Sequence, residues 1–501
     1  MNTKRTIIIF ITLIAALNLF SNTKKITLNQ AIETALKNNL DIQISKISYE
    51  QSENNLLEAY SVYDLRFDLT AEHQDSTQPP KTLLDATRSV QDFLNFSLVQ
   101  KTATGATLTF STTSYKYRTE NYAFAVLNPV YGTTFKLRVD QPIFNGFGKK
   151  IVEYQIKVNK KLKDKALEQF KLQVMDLIAK TQNSYLDLVY AHENLKVARE
   201  TIKLAREQYK ITKQKIQVGT MAEVEIYQAE ANLAKAEQDL INAENLVQQS
   251  QDNLKKLLNV EQKDWETVFV PDYTLKFSKE KFDTEKCIET ALKNNPEIKM
   301  KKIDFKIATI DKIFKKNQKL PKVNLYGSVA YSGNNAIHTY DNEGQPIVLP
   351  GSVGDAVDMA LTFDNQTWVV GINVSFPIQN RAAKAQYRNA ELKEKSAELT
   401  LKNTVYTVTV NVKNALRQVK ASERAYFAAQ KTRILREKDL EAERKKFANG
   451  MSTNFLVSQK EDELAKAKVN ELNALVQYKK AVVELEKQMG ILLKKLNFKI
   501  E

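Results

Sequence analysis

Two long stretches of the chain contain neither glycine nor proline, and they restrict the folds that are open to it. One runs from Lys149 to Val218 and the other from Ile378 to Asn449. Because Gly and Pro are the residues that most often interrupt helices, each stretch predicts one continuous helix. At a rise of ~1.5 Å per residue, such a helix is about 100 Å long. A compact domain cannot enclose a helix of that length.

Heptad spacing within these stretches indicates coiled-coil packing. Residues of the first stretch recur every seven positions along one face, at Val174, Thr181, Leu188, Leu195, Ile202 and Tyr209. We predict long helices at about 148–217, 222–258, 380–448 and 453–494, which form two hairpins that turn near Gly219 and Gly450. Periodicity alone is also compatible with a purely structural coiled coil.

Four other segments alternate apolar and polar residues with period two, which is the signature of a strand. We predict strands at about 64–72, 132–141, 322–331 and 367–376. One apolar and one polar face suits a barrel wall between lipid and water, and it also suits a soluble antiparallel sheet with one solvated face. A ribbon of four strands cannot close a barrel, so the membrane interpretation requires several copies to pool their strands.

A further alternating segment, residues 92–118, has no counterpart in the second half of the chain. Its letters include "FLNFSLVQ" and "GATLTFSTTSYKYR". The segment could add a hairpin of strands to the first half alone. We expect it to form an extracellular or barrel-rim elaboration.

The chain contains an internal duplication. The sequence "IETALKNN" occurs at residues 32–39 and again at 288–295. Further along, Pro142 corresponds to Pro377, and Gly219 corresponds to Gly450. We therefore predict a first repeat at residues 22–260, a linker at 261–281 in the equatorial region, and a second repeat at 282–501.

The N-terminus has the layout of an export signal. Lys4 and Arg5 precede an apolar run that ends before Ser21, which predicts a signal peptide at residues 1–21 or, alternatively, an uncleaved anchor. The single cysteine, Cys287, excludes an internal disulfide. The net charge of +15 comes from lysines scattered along every predicted helix, so we interpret it as a solvated surface and not as a nucleic-acid site.

The sequence offers no catalytic constellation. The three histidines, His73, His192 and His338, are far apart and have no neighbours at metal-ligand spacing. Phosphate-binding loops and nucleophile elbows are absent from the sequence. We therefore predict a protein that is not an enzyme and that uses neither a cofactor nor a metal.

Four segments in this order resemble the TolC-like outer membrane efflux protein family, also called outer membrane factors. They are "LNQAIETALKNN" with its repeat, "DQPIFNGFGKK", "SFPIQNRAAKAQY", and the region from "FANGMSTNFLVSQ" to the last helix. The resemblance covers nearly the whole chain after the signal. It also marks Pro142, Gly146 and Pro377 as joins between strands and helices.

The resemblance implies an α+β membrane protein. Its duplicated coiled-coil hairpins would form a periplasmic tunnel, and four strands per chain would give a twelve-strand barrel in a homotrimer in the cell outer membrane. Such a protein is the passive exit duct of a tripartite efflux or type I secretion system. Its implied partners are a periplasmic adaptor (membrane fusion protein), an inner-membrane transporter of RND, ABC or MFS type, and outer membrane lipid. The alternative is a soluble periplasmic coiled-coil scaffold.

The resemblance also assigns roles at the two hairpin tips. The predicted adaptor-docking residues are Gly219, Thr220, Met221, Ala222, Gly450, Met451, Ser452 and Thr453. The predicted entrance constriction consists of Glu223, Glu225, Asn454 and Gln459. The plain alternatives are a glycine helix cap at each turn and ordinary acids near a helix N-terminus.

Overall fold

The computed structural model describes residues 23–79, 81–82, 85–120, 127–342 and 345–495. The predicted signal peptide, residues 1–21, lies outside the described residues. The chain divides into two compact units. Within the described residues, a helical unit comprises residues 23–50, 165–302 and 400–495, and a sheet-containing unit lies within Gln51–Asp164 and Ile303–Leu399.

The first repeat begins with a short strand and two helices, continues with four strands and ends with a long helical hairpin. In chain order its elements are β1 (Thr23–Ile26), α1 (Leu28–Asn38), α2 (Leu40–Ala59), β2 (Arg66–Thr77), β3 (Arg88–Lys101), β4 (Thr107–Glu120), β5 (Leu127–Pro142), α3 (Lys149–Val152), α4 (Tyr154–Gln217) and α5 (Val224–Leu258). The second repeat follows the same order, but between its short helices and its long hairpin it has two long strands, one short strand and a short helix. Its elements are β6 (Val268–Pro271), α6 (Thr284–Asn294), α7 (Pro296–Gln318), β7 (Lys322–Asn342), β8 (Gln345–Leu349), α8 (Val353–Leu361), β9 (Gln366–Ser375), α9 (Arg381–Ala448), α10 (Asn454–Gln488) and α11 (Leu492–Lys495).

The duplication is visible in the core of the helical unit. In the first repeat, Ile32 of α1 belongs to a buried cluster with Leu188 of α4 and Leu254 of α5. In the second repeat, Cys287 of α6 belongs to a buried cluster with Val412 of α9 and Leu485 of α10. Each short helix therefore packs its apolar face against its own long hairpin, and this burial drives the association.

A pair of equivalent asparagines joins each short helix to its hairpin. The side-chain amide of Asn39 donates to the carbonyl of Leu257 at 3.2 Å, and that of Asn295 donates to the carbonyl of Gln488 at 3.1 Å. Both asparagines are buried. Both occupy the last position of the repeated "IETALKNN". The repeated letters thus encode a repeated contact, in which a side chain satisfies a carbonyl near the end of a long helix.

The predicted linker, residues 261–281, includes strand β6. This strand pairs in parallel with β1, and Ile26 stands opposite Pro271. The phenolic hydroxyl of Tyr185, a fully buried residue of α4, donates to the carbonyl of Ile26 at 2.9 Å. No helix in the described part of the chain combines the length and the apolarity needed to cross a membrane.

The sheet is antiparallel and follows the order β2-β3-β4-β5-β7, with β8 and β9 both paired to β7. The four predicted strands are present as β2, β5, β7 and β9. Residues 92–118, which we expected to form a rim elaboration, instead lie in β3 and β4. These two strands fill the space between β2 and β5 and pair with them along almost their whole length. The prediction of four strands is therefore corrected: among the described residues, this sheet contains six long strands and one short strand.

Helix α8 packs across one face of this sheet. Gly333 of β7 permits the contact, because a Cβ at this position would lie 2.1 Å from the carbonyl oxygen of Ala356. Ala356 and Ala360 of α8 are buried there. Ser352 caps the helix by accepting from the amide of Asp355 at 3.2 Å.

Candidate functional site: the helical hairpin tips

Both long hairpins turn by the same backbone motif. At the first tip, Gly219 has φ of +74° and donates its amide to Ile216, while Thr220 donates to Lys215. At the second tip, Gly450 has φ of +73° and donates in the same pattern. This is a Schellman motif, which satisfies the last carbonyls of a helix and favours glycine in the left-handed region. The two tips are thus structural equivalents.

The residues that follow the glycines differ between the two tips. In the second tip, Ser452 donates its hydroxyl to the Glu443 carboxylate at 2.6 Å, and Thr453 caps α10 by accepting from the amide of Leu456 at 3.4 Å. The Ser452 hydroxyl and the Lys446 ammonium lower the pKa of Glu443. In the first tip, Glu223 precedes α5 without forming a side-chain cap. The second turn is therefore the more extensively hydrogen-bonded of the two.

The predicted docking residues lie at the surface of these turns. Gly219, Thr220, Ala222, Gly450, Met451 and Thr453 are exposed, and Met221 and Ser452 are half-buried. Several large apolar side chains beside them are also exposed, at Val218, Val224, Tyr227, Met451, Phe455 and Leu456. A group of exposed apolar side chains is typical of an interaction surface.

The predicted constriction residues have different environments. Glu223 is exposed and Glu225 is half-buried, and within the described residues neither carboxylate forms an ion pair. Gln459 is exposed and donates its amide to Glu463 at 3.4 Å. Asn454 is buried, and its amide donates to the hydroxyl of Thr212 at 3.0 Å. The structure therefore places Asn454 between helices, whereas the two glutamates remain accessible.

The contact between Asn454 and Thr212 joins the two repeats near their tips. Thr212 belongs to α4 and is fully buried. The Oδ1 atom of Asn454 is also buried but has no hydrogen-bond partner. Close by, the Lys215 ammonium lies 5.0 Å from the centre of the Phe447 ring, in a cation–π arrangement between α4 and the end of α9.

A ladder of polar contacts continues this junction between α5 and α10. Asn232 donates to the hydroxyl of Ser458 at 2.7 Å, and Lys235 pairs with Asp462 at 2.7 Å. Lys466 contacts the other oxygen of Asp462 at 2.8 Å. Partial burial raises the pKa of Asp462, but the hydrogen bonds from the two lysines outweigh it and lower the pKa overall. The carboxylate is therefore held ionised between two repeats.

Each strand-to-helix join contains an asparagine that was not among the predicted join residues. Asn145 follows Pro142 and Asn380 follows Pro377, each by three positions. Asn145 donates to the carbonyl of Leu320 at 3.4 Å, and Asn380 donates to that of Lys319 at 2.9 Å. The signal was the motif P-I-x-N, which occurs at both joins.

Gly146 adopts a φ of +87° at the first join, and its amide donates to the side chain of Asn317 at 2.8 Å. This positive φ accounts for a glycine at the position. Pro142 is the last residue of β5, and Pro377 lies just beyond the end of β9.

Burial shifts the pKa of two titratable groups, those of His192 and Cys287. His192 of α4 lies 3.2 Å from the carbonyl of Phe269, and burial lowers its pKa. Cys287 is buried in the second core cluster, and burial raises the pKa of its thiol. Among the described residues, no group of His, Cys, Asp and Glu side chains could hold a metal ion.

Comparison with known proteins places this geometry in a family. The model of the outer membrane efflux protein family matches residues 31–260 and 287–491, and each range falls within one of the two predicted repeats. The chain belongs to this family. The resemblance to TolC-like proteins is thereby confirmed. Among curated proteins, no sequence match is found.

Solved structures of outer membrane channels share the fold of this efflux family protein. The Campylobacter jejuni CmeC outer membrane channel is 19% identical with a TM-score of 0.65, over 92% of this chain and 85% of that chain. The Vibrio cholerae outer membrane protein VceC is 14% identical with a TM-score of 0.65, over 92% and 96%. The open state of the Neisseria gonorrhoeae MtrE outer membrane channel is 15% identical with a TM-score of 0.64, over 92% and 88%. The α+β fold with duplicated helical hairpins is therefore that of an outer membrane channel.

Proposed function

We propose that this protein is a passive exit duct in the cell outer membrane. Three copies would pool their strands into one barrel, and their helical hairpins would form a tunnel in the periplasm. The observation that carries the proposal is the match of both repeats to the outer membrane efflux protein family. The exposed apolar side chains of the sheet support the proposal, because soluble proteins rarely expose a large contiguous apolar surface to water.

The duct would work with a periplasmic adaptor (membrane fusion protein) and an inner-membrane transporter of RND, ABC or MFS type, in efflux or type I secretion. The adaptor would dock on the hairpin tips. The exposed apolar residues beside Gly219 and Gly450, including Val218 and Met451, supply contact area of the kind that protein interfaces bury. Docking would open the entrance, and the transporter would supply the energy.

Fractionation of cells tests the location and assembly. The exit duct predicts a protein that is extracted from the outer membrane only by detergent and that has the mass of three chains in native mass spectrometry. A soluble periplasmic scaffold, the alternative, predicts release with the periplasmic contents. Recovery of a water-soluble monomer would contradict the duct.

Photocrosslinking tests the docking surface. A photoreactive amino acid at Met451 should capture the adaptor in intact cells and give a crosslinked product heavier than the chain alone. The same amino acid at Trp265, which is also exposed but lies between α5 and β6, is the matched control and should capture no adaptor. Capture at Trp265 alone would move the docking surface away from the tips.

A further inference from the structure

The hairpin of β3 and β4 has the same apolar face and the same polar face as the neighbouring strands of the sheet. The register of the strands aligns residues of the same kind in rows across the sheet. One row is apolar at every strand and runs through Phe67, Leu98, Phe110, Leu137, Val329 and Trp368. On the opposite face, another row is polar throughout and runs through Thr70, Asn95, Thr113, Thr134 and Ser332. The hairpin therefore shares the inside and the outside of the predicted wall strands.

Side-chain contacts bind the hairpin into this wall. Phe96 of β3 makes edge-to-face contacts with Phe67 at 5.2 Å and with Phe110 at 6.4 Å between ring centres. On the polar face, the Thr113 hydroxyl donates to the side chain of Asn95 at 3.0 Å. Aromatic contacts on one face and hydrogen bonds on the other are what a wall between lipid and water requires.

The length and the exposure of the hairpin fit a membrane span. β3 and β4 each contain 14 residues, whereas a tilted strand needs about 9–11 to cross the hydrocarbon core. Leu94, Leu108 and Phe110 are 49%, 37% and 37% exposed, and Trp368 on the same face is 72% exposed. A rim hairpin surrounded by water would not require apolar side chains in phase with the wall.

The sheet ends at two strands with open outer edges. β2 and β9 are the outermost long strands, and in the described residues neither pairs with another strand along its outer side. Within a lipid layer an unpaired edge leaves backbone groups without hydrogen bonds, so a further strand has to cover it. The apolar row that ends at Phe67 on β2 and at Trp368 on β9 matches a second copy of this chain, whose β9 would continue the row past β2.

We propose that β3 and β4 are membrane-spanning wall strands and that each protomer contributes six such strands, with β2 and β9 as the edges that meet neighbouring copies. The proposal rests on the proposed exit duct. Three protomers then give about eighteen strands, and because barrel diameter grows roughly linearly with strand number, the lumen is about half as wide again as that of a twelve-strand barrel. The outward residues of the hairpin, Leu98 and Phe110 among them, contact lipid acyl chains.

Tryptophan quenching by brominated lipids tests the proposal in the assembled full-length protein. The first measurement uses Trp265→Phe, in which Trp368 is the remaining native tryptophan. The second uses Phe110→Trp in a chain that also carries Trp265→Phe and Trp368→Phe. We expect both reporters to lose fluorescence to the same extent. The matched control is Thr109→Trp in the same background, which lies on the polar face and should respond to aqueous iodide but not to the lipid.

The outcomes separate the two proposals. If Trp368 itself is not quenched, β9 is not in lipid and the exit duct fails. If Trp368 is quenched but the Phe110→Trp reporter responds only to iodide, the duct stands and the hairpin proposal is overturned.

A disulfide test in a Cys287→Ala background covers variants that do not assemble. Phe110→Cys with Leu137→Cys should crosslink, because β4 neighbours β5. Phe67→Cys with Leu137→Cys should not crosslink, since two strands separate them. The reverse result would place β2 beside β5 and the hairpin outside the wall, which refutes the proposal.

Discussion

The buried contact between Thr212 and Asn454 predicts that loss of Thr212 destabilises the junction more than loss of Asn454. The Asn454 amide has one hydrogen bond, to the Thr212 hydroxyl at 3.0 Å, and its Oδ1 is already buried without a partner. Thr212→Val keeps the shape of the side chain but removes the hydrogen-bond partner that the Asn454 amide has among the described residues. Leaving a buried polar group unsatisfied costs about 1–3 kcal/mol, so this single change should destabilise the junction by about that amount.

Substitution of the other partner, Asn454→Leu, should reduce stability much less than Thr212→Val does. Asn454→Leu removes the amide together with its unsatisfied oxygen, and the remaining Thr212 hydroxyl can turn to a carbonyl in the preceding turn of its own helix. The double variant Thr212→Val plus Asn454→Leu leaves no buried polar side chain at this point. Since replacing both partners by apolar groups is nearly neutral, the second substitution should rescue the first.

Channel recordings measure the consequence for gating. If the closed entrance contains this contact and the open entrance does not, the cost falls on the closed state alone. A loss of about 1–3 kcal/mol then raises the open-to-closed ratio roughly 5- to 150-fold. We expect Thr212→Val to increase the open probability of purified channels in planar bilayers, and the double variant to restore it. Equal effects of the two single variants, or an additive double variant, would refute the reasoning.

Three further predictions concern charge, pH and packing. Glu223→Gln with Glu225→Gln should lower the cation selectivity of single channels, while Glu230→Gln, which lies further along α5, should not; unchanged selectivity in the first variant would contradict the constriction hypothesis. The pKa of Asp462 in the folded chain lies below its usual value of 3.8, so its stabilising contribution is complete above pH ~4 and is lost as the pH falls through the lowered pKa. The difference in thermal unfolding midpoint between the native chain and Asp462→Asn should therefore be present at neutral pH and shrink in acid, and a constant difference would show that the carboxylate charge is irrelevant. Gly333→Ala should displace α8 and expose it to protease, because the new Cβ would lie 2.1 Å from the Ala356 carbonyl; Gly354→Ala, whose nearest neighbour is 3.4 Å away, is the control and should cleave like the native chain.

The long helices were predictable because their signal is local. The absence of Gly and Pro, the heptads, and a glycine at each turn act within a few residues, and the helices indeed end at Gln217 and Ala448, just before Gly219 and Gly450. The buried positions Val174, Thr181 and Leu188 were among the predicted seam residues. Helix α8 was missed although Ser352 and Asp355 form a recognisable cap, because the helix is only nine residues long.

The role of residues 92–118 was not predictable because alternation defines a strand but not its neighbours. The same letters fit a free rim hairpin and a wall hairpin equally well, and only the register of Leu98 against Phe67 and of Phe110 against Leu137 distinguishes them. The burial of Asn454 was hidden for a similar reason. Its partner, Thr212, is 242 positions away, and no local pattern connects the two.

The two tips show how a duplicated chain can make unequal parts from one plan. Gly219 and Gly450 are 231 positions apart (450 − 219), and the same offset relates Thr212 to Glu443 and Glu223 to Asn454. At the first pair of equivalent positions, Thr212 accepts from the other repeat, whereas Glu443 accepts from Ser452 within its own turn. At the second pair, the acid is exposed and the amide is buried. The two tips thus share a backbone motif but differ in their polar contacts. The first tip is stabilised by a hydrogen bond from the second repeat, whereas the second tip also has a hydrogen bond within its own turn. Loss of the Thr212 contact should consequently release the first tip before the second.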